Sequence, residues 1–204
     1  MRKKLKFKKL LNEYRSLKFE LEFVEDVLGE YNLEFEKTYR RYCAANNINL
    51  GQLEKDNKNR IEKKFPNLVR REEPVEIEED QQIDNKQSKH KSIYRQLAKK
   101  LHPDSLPEGD ERYDEYKKAF QLATQAHNDG AWGDLFDLVE HYDIDFRDYG
   151  TICNSLVEDI DRITLEINNH KKTFSWALYE CEQTEDCEEM VIKNFLMTVF
   201  RYRV

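Results

Sequence analysis

Apolar residues recur near the start of the chain at spacings that alternate between three and four. The stripe consists of Phe7, Leu10, Tyr14, Leu17, Leu21, Val24, Leu28, Tyr31, Phe35, Thr38 and Tyr42, and Thr38 is its only polar member. Charged residues fill most of the positions between them. This heptad register predicts one amphipathic helix from about residue 4 to 44, roughly 60 Å long at 1.5 Å per residue. So wide an apolar stripe requires a partner.

A second heptad run lies near the other end of the chain. Its members are Leu156, Ile160, Ile163, Ile167, His170, Phe174, Ala177 and Cys181. Thr184 then has the character of an N-cap and predicts a last helix to about Tyr202. The two heptad helices either pair antiparallel within one chain or pair between two chains in a homodimer. We interpret His170, on the seam, as a core-edge residue and not as a metal ligand.

Between these runs the pattern changes twice. Asparagines close the first helix, and a shorter helix is predicted from Leu50 to Phe65. Two prolines and dense acidic residues then indicate a linker through about Lys86. The predicted organisation is a coiled-coil segment over 1–65, an acidic linker over 66–86, a central module over 87–147 and a C-terminal helical hairpin or coiled coil over 148–204.

The central module has the pattern of a helical hairpin. One apolar stripe precedes Pro103 and a second follows it, formed respectively by Ile93, Tyr94, Leu97, Ala98 and Leu101, and by Tyr113, Tyr116, Phe120, Ala123 and Ala126. Lys91, Arg95, Lys99 and His102 share another face of the first helix. Pro103 must end that helix, because proline disfavours helical geometry at the preceding residue and lacks an N–H donor. The sequence therefore predicts an antiparallel hairpin with a basic outer face and a proline-stiffened loop.

Composition supports an all-α fold. Charged residues make up 37% of the chain and hydrophobic residues 39%, with only 6 Gly and 4 Pro, a profile that suits long exposed helices. Eleven Tyr and eleven Phe argue against disorder. The net charge of −7 makes nucleic-acid binding unfavourable despite a basic start. No long apolar stretch follows that start or occurs later, so the sequence predicts neither a signal peptide nor a membrane span.

The cysteines and histidines give no pattern of a metal or catalytic site. Cys43, Cys153, Cys181 and Cys187 form no C-x-x-C pair, and no histidine stands at zinc-finger spacing from them. We therefore predict no metal and no cofactor, and free thiols in a reducing cytoplasm in preference to a disulfide between Cys181 and Cys187. No nucleophile–base set is evident, so an enzyme is not expected.

The motif Tyr-Arg-x-Leu-Ala-x-Lys-x-His-Pro-Asp, from Tyr94 to Asp104, resembles helix II and the loop of J-domain co-chaperones. The segment from Phe120 to Asp129 occupies the place of their helix III, and the leucine-rich stretch from Asp134 to Leu138 has a counterpart in some divergent members. The resemblance covers roughly a quarter of the chain. A bare His-Pro-Asp triplet is weak, whereas the triplet at the end of a basic amphipathic helix with a matching second helix is more specific.

The resemblance implies that residues 87–147 form a J-domain-like module that docks on an Hsp70 (DnaK-type) chaperone and stimulates its ATPase. Asp104 would contact an arginine region of the Hsp70, and His102 and Pro103 would hold the loop that presents it. Arg95 and Lys100 match usually basic positions of the docking helix. On spacing alone, the same basic face includes Lys91 and Lys99.

The chain departs from the family in several respects. Nothing before Ser92 resembles the family's helix I, so another element is expected to cover the back of the hairpin. Gln96 replaces a commonly basic residue, and Ser105 and Leu106 follow the triplet where lysine is frequent. Two functions stay open: a co-chaperone whose coiled-coil arms select an unidentified client, and a coiled-coil scaffold with a degenerate hairpin.

Overall fold

A computed structural model describes residues 2–64, 83–107, 109–146, 148–182 and 184–203, with the backbone alone for 83–89. Every regular element in these ranges is helical, which confirms the predicted all-α class. The α-helices are α1 (Arg2–Ala45), α2 (Leu50–Lys64), α3 (Ile83–Leu101), α4 (Tyr113–Asp129), α5 (Trp132–His141), α6 (Tyr149–His170), α7 (Phe174–Glu180) and α8 (Glu185–Phe195). A 3₁₀ turn at Pro103–Ser105 and a π-helical turn at Leu196–Phe200 complete the set.

The predicted linker of 66–86 overlaps α3 at its C-terminal end. Most of it lies outside the described residues, but α3 already begins at Ile83. No Gly or Pro interrupts the chain between Ile83 and Leu101. Once the apolar stripe from Ile93 onward fixes the helix, each added turn avoids the cost of nucleation and continues the hydrogen-bond ladder backwards.

The chain forms two compact units that differ from the segments predicted from the sequence. One unit contains the described residues of Met1–Phe19 and Glu78–Leu165, and the other those of Glu20–Ile77 and Glu166–Val204. Helices α1 and α6 therefore supply residues to both units. Each unit combines segments from distant parts of the chain, so neither terminal segment is a separate coiled-coil arm.

The first unit has a core of fully buried aliphatic and aromatic side chains from five helices. They are Leu11 of α1, Leu97 and Leu101 of α3, Ala123 of α4, Leu135, Phe136 and Val139 of α5, and Leu156 of α6. Complete burial of a Leu or Phe side chain contributes about 1.5–3 kcal/mol. On α1, Leu11 is fully buried while Leu10 of the predicted stripe is only partly so. Helix α5 packs on both α3 and α4 and covers the back of the hairpin.

Helix α5 approaches α1 closely at Gly133. A Cβ atom at this position would lie 2.3 Å from the ring of Tyr14. The Gly133 N–H donates to Oδ2 of buried Asp159 at 2.7 Å, and the Tyr14 hydroxyl donates to Asp134 at 2.9 Å. Burial raises the pKa of both Tyr14 and Asp159. A glycine is therefore required here by space and not by backbone geometry.

The second unit packs the C-terminal helices against α1 and α2. One cluster contains Phe35, Leu178, Cys181 and Val191, and another contains Cys43, Ile48, Ile192 and Leu196. Cys181 and Cys187 form a disulfide with a Cα–Cα distance of 5.5 Å. The prediction of free thiols is wrong for this pair, because the turn between α7 and α8 brings the two residues together. Cys43 and Cys153 are free and buried.

Helix α1 runs parallel to the later segment that it contacts in the second unit. In the first unit the ring of Phe7 lies 5.8 Å from that of Tyr149. In the second unit, the Glu20 carboxylate accepts a hydrogen bond from the Lys171 ammonium group at 2.5 Å. The ring centroids of Tyr31 and Tyr179 lie 5.2 Å apart. Within the second unit, residue numbers rise together from the Glu20–Lys171 pair to the Tyr31–Tyr179 pair. The antiparallel alternative predicted from the sequence is therefore wrong, since α3–α5 return the chain to the start of α1.

Candidate functional site

The central helices form an antiparallel hairpin. The ring of His102, just after α3, lies 5.3 Å from that of Phe120 near the middle of α4. Further back along α3, the Tyr94 hydroxyl lies 3.1 Å from Oγ1 of Thr124, and its ring lies 4.4 Å from that of His127. Along these contacts the residue numbers of α3 fall while those of α4 rise, so the two helices are antiparallel, as expected for a hairpin.

The loop that follows α3 is organised by its own hydrogen bonds. His102 has extended backbone geometry, and its Nδ1 accepts from the Asp104 N–H at 3.3 Å. The Ser105 hydroxyl donates to the carbonyl of His102 at 2.6 Å. His102 thus caps the 3₁₀ turn Pro103–Ser105, which is a more definite role than sequence reasoning gave it.

The loop exposes its carboxylate. The Asp104 side chain is 89% exposed, whereas that of His102 is 49% exposed and packs against Phe120. Asp104 Oδ2 lies 3.5 Å from His102 Nδ1. An exposed carboxylate on a turn held by its neighbours is suited to contact a cationic group on another protein, because little ordering remains to be done on binding.

Three of the four predicted basic residues share one face of α3. Lys91, Arg95 and Lys99 follow at intervals of four, and all are exposed. They form no ion pair with the residues that the structure describes. Lys100 is exposed but lies on the flank of the helix, where its ammonium group donates to the carbonyl of Tyr142. The structure therefore separates Lys100 from the other three.

Tyr142 connects the end of α5 to the hairpin. Its hydroxyl donates to Glu115 at 3.0 Å, and its ring lies edge-on to Tyr116 with centroids 5.6 Å apart. Burial, then the hydrogen bond to Glu115, raises the pKa of Tyr142 to about 12. Sequence reasoning missed this residue because its partners lie far away in the chain.

The hairpin is also held near the middle of its first helix by a buried histidine. His90 is 1% exposed, stacks on Trp132 with ring centroids 4.0 Å apart, and lies within 3.0 Å of the Ser155 hydroxyl. His90 precedes Ile93 by three residues and Leu97 by seven. This helical spacing could have placed His90 on the apolar face of α3 from the sequence alone. It joins α3, α5 and α6.

A salt bridge between Arg112 and Asp110 lies at the end of the loop, just before α4. Arg112 donates from Nε and a terminal nitrogen to the two carboxylate oxygens of Asp110 at 3.0 and 2.8 Å, and its backbone N–H adds a third bond at 2.9 Å. These bonds lower the pKa of Asp110 from 3.8 to about 2. Such bidentate pairing fixes orientation as well as charge.

Protonation of Asp110 is expected to break its salt bridge with Arg112. A carboxyl group with a lowered pKa stabilises the fold above its ordinary pKa and loses that contribution as the pH falls from about 4 towards 2. We expect the ¹³C carboxyl resonance of Asp110 to titrate near pH 2. In Arg112→Gln the midpoint should rise towards the ordinary value. An unchanged midpoint in that variant would contradict the assigned role of Arg112.

None of the described helices is both long and apolar enough to cross a membrane. A comparison with known proteins found no family model that matches the chain. No similar curated protein and no similar solved structure was found. The indications of function therefore come from the residues and the geometry of the hairpin.

Proposed function

We propose that this protein is a co-chaperone that docks on an Hsp70 (DnaK-type) chaperone and stimulates its ATPase through the loop His102-Pro103-Asp104. The observation that carries the proposal is the exposed Asp104 carboxylate at the tip of an antiparallel hairpin. Its first helix presents Lys91, Arg95 and Lys99 to solvent. The motif alone would support this function only weakly.

Docking and stimulation use different parts of the hairpin in this proposal. The basic stripe of α3, formed by Lys91, Arg95 and Lys99, attracts an acidic surface of the chaperone and orients the hairpin during the encounter. The loop then places Asp104 against an arginine region, as the resemblance to J-domain proteins implies. His102 holds Asp104 through the bond from the Asp104 N–H. Lys100 serves the internal contact with Tyr142.

The rest of the chain would select the client, which is not identified. The proposed location is the cytoplasm, and the proposed action on Hsp70 involves no membrane, nucleic acid or cofactor and no enzymatic activity of this chain. A homodimer, the other pairing predicted from the sequence, would have to use surfaces besides the seam residues that are buried within the chain. The direct test is the rate of ATP hydrolysis by a panel of Hsp70s with and without the full chain. Stimulation by wild type supports the proposal.

Charge reversal on the basic stripe is expected to weaken Hsp70 binding. An exposed ion pair contributes up to about 1 kcal/mol, so losing one and gaining a repulsion should weaken association about tenfold for Arg95→Glu or Lys99→Glu. Binding of wild type should also weaken with added salt, because exposed charges are screened over about 8–10 Å near physiological ionic strength. Surface plasmon resonance at two salt concentrations measures both effects.

Lys118→Glu provides the matched control for these variants. Lys118 is exposed on α4, and its replacement by glutamate changes the net charge by the same amount as the two stripe variants. Its effect on binding should be much smaller than that of Arg95→Glu. If all three variants weaken binding equally, the effect is one of net charge and not of the position of Arg95 and Lys99. Binding whose affinity does not change with salt would contradict docking through the basic residues of α3.

The second candidate function is a scaffold in which the hairpin no longer acts on a chaperone. Gln96 is exposed on α3, where a basic residue is common in the family, and this observation favours the scaffold. The alternative predicts no stimulation of ATP hydrolysis by any Hsp70 in the panel. It also predicts that substitutions in the loop leave the partners captured by the chain unchanged.

A further inference from the structure

Three side chains with metal-ligand chemistry converge in the second unit. They are Glu25 on α1 and Glu166 and His170 on α6, and one ligand atom of each lies within 4.8 Å of the other two. Glu166 and His170 are four residues apart on one helix, so they share a face. Glu25 reaches the same point from the neighbouring helix. The two glutamates are exposed and the histidine is partly buried.

The cation adjacent to this cluster in the chain does not neutralise it. Two carboxylates close together repel each other unless a cation lies between them. The adjacent Lys171 is directed elsewhere, since it donates to Glu20 at 2.5 Å and its ammonium lies 5.5 Å from the centre of the Trp176 ring.

The histidine provides a second, independent observation. Nε2 of His170 is enclosed and has no hydrogen-bond partner among the residues that the structure describes. An enclosed polar nitrogen without a partner is unfavourable and requires an explanation, such as an ion that is bound nearby. An ion bound to Nε2 of His170 would give this nitrogen the partner that it lacks among the described residues.

We propose that Glu25, Glu166 and His170 bind a divalent transition-metal ion of the Zn²⁺ class. Ligand atoms bound at about 2.1 Å in tetrahedral geometry lie about 3.4 Å apart, so the exposed glutamate side chains would have to close separations of up to 4.8 Å by roughly 1–1.5 Å. An imidazole nitrogen favours Zn²⁺ or Co²⁺ over Mg²⁺ and Ca²⁺, which prefer oxygen ligands. The ion would join α1 to α6 within the second unit and stabilise the folded chain by mass action.

Zinc titration of the full chain tests this proposal separately from any action on Hsp70. The protein is stripped with a chelator and titrated with ZnCl₂ by calorimetry, and thermal unfolding is followed with and without zinc. We expect one ion to bind in the wild type, and zinc to raise its unfolding temperature. Glu166→Gln, Glu25→Gln and His170→Gln should each weaken binding about tenfold or more. Glu30→Gln, an exposed position on α1 with the same charge change, should bind as wild type.

Cobalt substitution distinguishes this site from the cysteines. Bound Co²⁺ should lack the intense near-ultraviolet band that a thiolate ligand produces. If His170→Gln fails to fold, the exposed Glu166→Gln still decides the matter. The proposal is overturned if wild type binds no Zn²⁺ below about 1 mM, far weaker than structural zinc sites. It is equally overturned if the three ligand variants bind as tightly as Glu30→Gln.

Discussion

Replacing Asp104 by asparagine is expected to abolish stimulation of Hsp70 ATP hydrolysis while leaving the fold intact. The side chain is 89% exposed and packs on no hydrophobic core. Surface substitutions of this kind usually change stability by no more than about 0.5 kcal/mol. The amide keeps the shape of the carboxylate but removes the charge that would meet an arginine region. Single-turnover ATP hydrolysis measures the loss, and thermal unfolding verifies the fold.

Two further variants make this result specific. Asp161→Asn, at an exposed position on α6, makes the same charge change away from the loop and should keep full stimulation. His102→Gln should also abolish stimulation, because Nδ1 of His102 holds the Asp104 N–H. It carries a small stability cost as well, since the imidazole packs on Phe120. Stimulation that survives Asp104→Asn would show that the loop has no part in the activity.

Gly133→Ala is expected to destabilise the protein by about 3 kcal/mol, towards the upper end of typical overpacking costs. The new Cβ would lie 2.3 Å from the Tyr14 ring. Tyr14 is only 3% exposed, and its hydroxyl donates to Asp134, so its ring cannot move into solvent without losing both its packing and its hydrogen bond. Displacement of α5 would instead disturb the bond between Gly133 and Asp159. Urea unfolding followed by circular dichroism measures the change.

Gly29→Ala is the matched control. Gly29 lies within α1, and a Cβ atom added there would have nothing within 4 Å, so alanine should stabilise the helix by about 0.5–1 kcal/mol. Combining Gly133→Ala with Tyr14→Ala should cost less than the sum of the two single changes, because the ring that clashes is gone. A Gly133→Ala variant as stable as wild type would refute the close approach of α5 to α1.

The first heptad pattern identified α1 well, because local periodicity depends only on which face is buried, whereas the second run, predicted as one helix over 156–181, is divided into α6 and α7 by the turn before Phe174. Most of the seam residues on both helices are buried, including Phe7, Val24, Leu156 and Ile163. The direction of pairing could not be read from the same pattern, since a heptad stripe has the same spacing in either direction. What decides the direction is the path of α3–α5, and that depends on tertiary packing.

The loop and the basic stripe were also predictable, whereas their supports were not. Pro103 determines where α3 ends, and spacing of four places Lys91, Arg95 and Lys99 together. Spacing could not show that Lys100 bonds the carbonyl of Tyr142, 42 residues away. The Cys181–Cys187 bond likewise depends on a turn whose geometry the sequence does not specify.

The parallel pairing of α1 with later helices has a consequence for how the chain folds during synthesis. Tyr14 and Asp134 are 120 residues apart, and Glu20 and Lys171 are 151 apart, whereas Tyr94 and Thr124 in the hairpin are separated by only 30. Contacts between nearby residues form faster than distant ones. At about 5–20 residues per second, the apolar face of α1 leaves the ribosome many seconds before α5 and α6 exist to cover it. We therefore expect α1 to be made early and buried late, after the hairpin has formed.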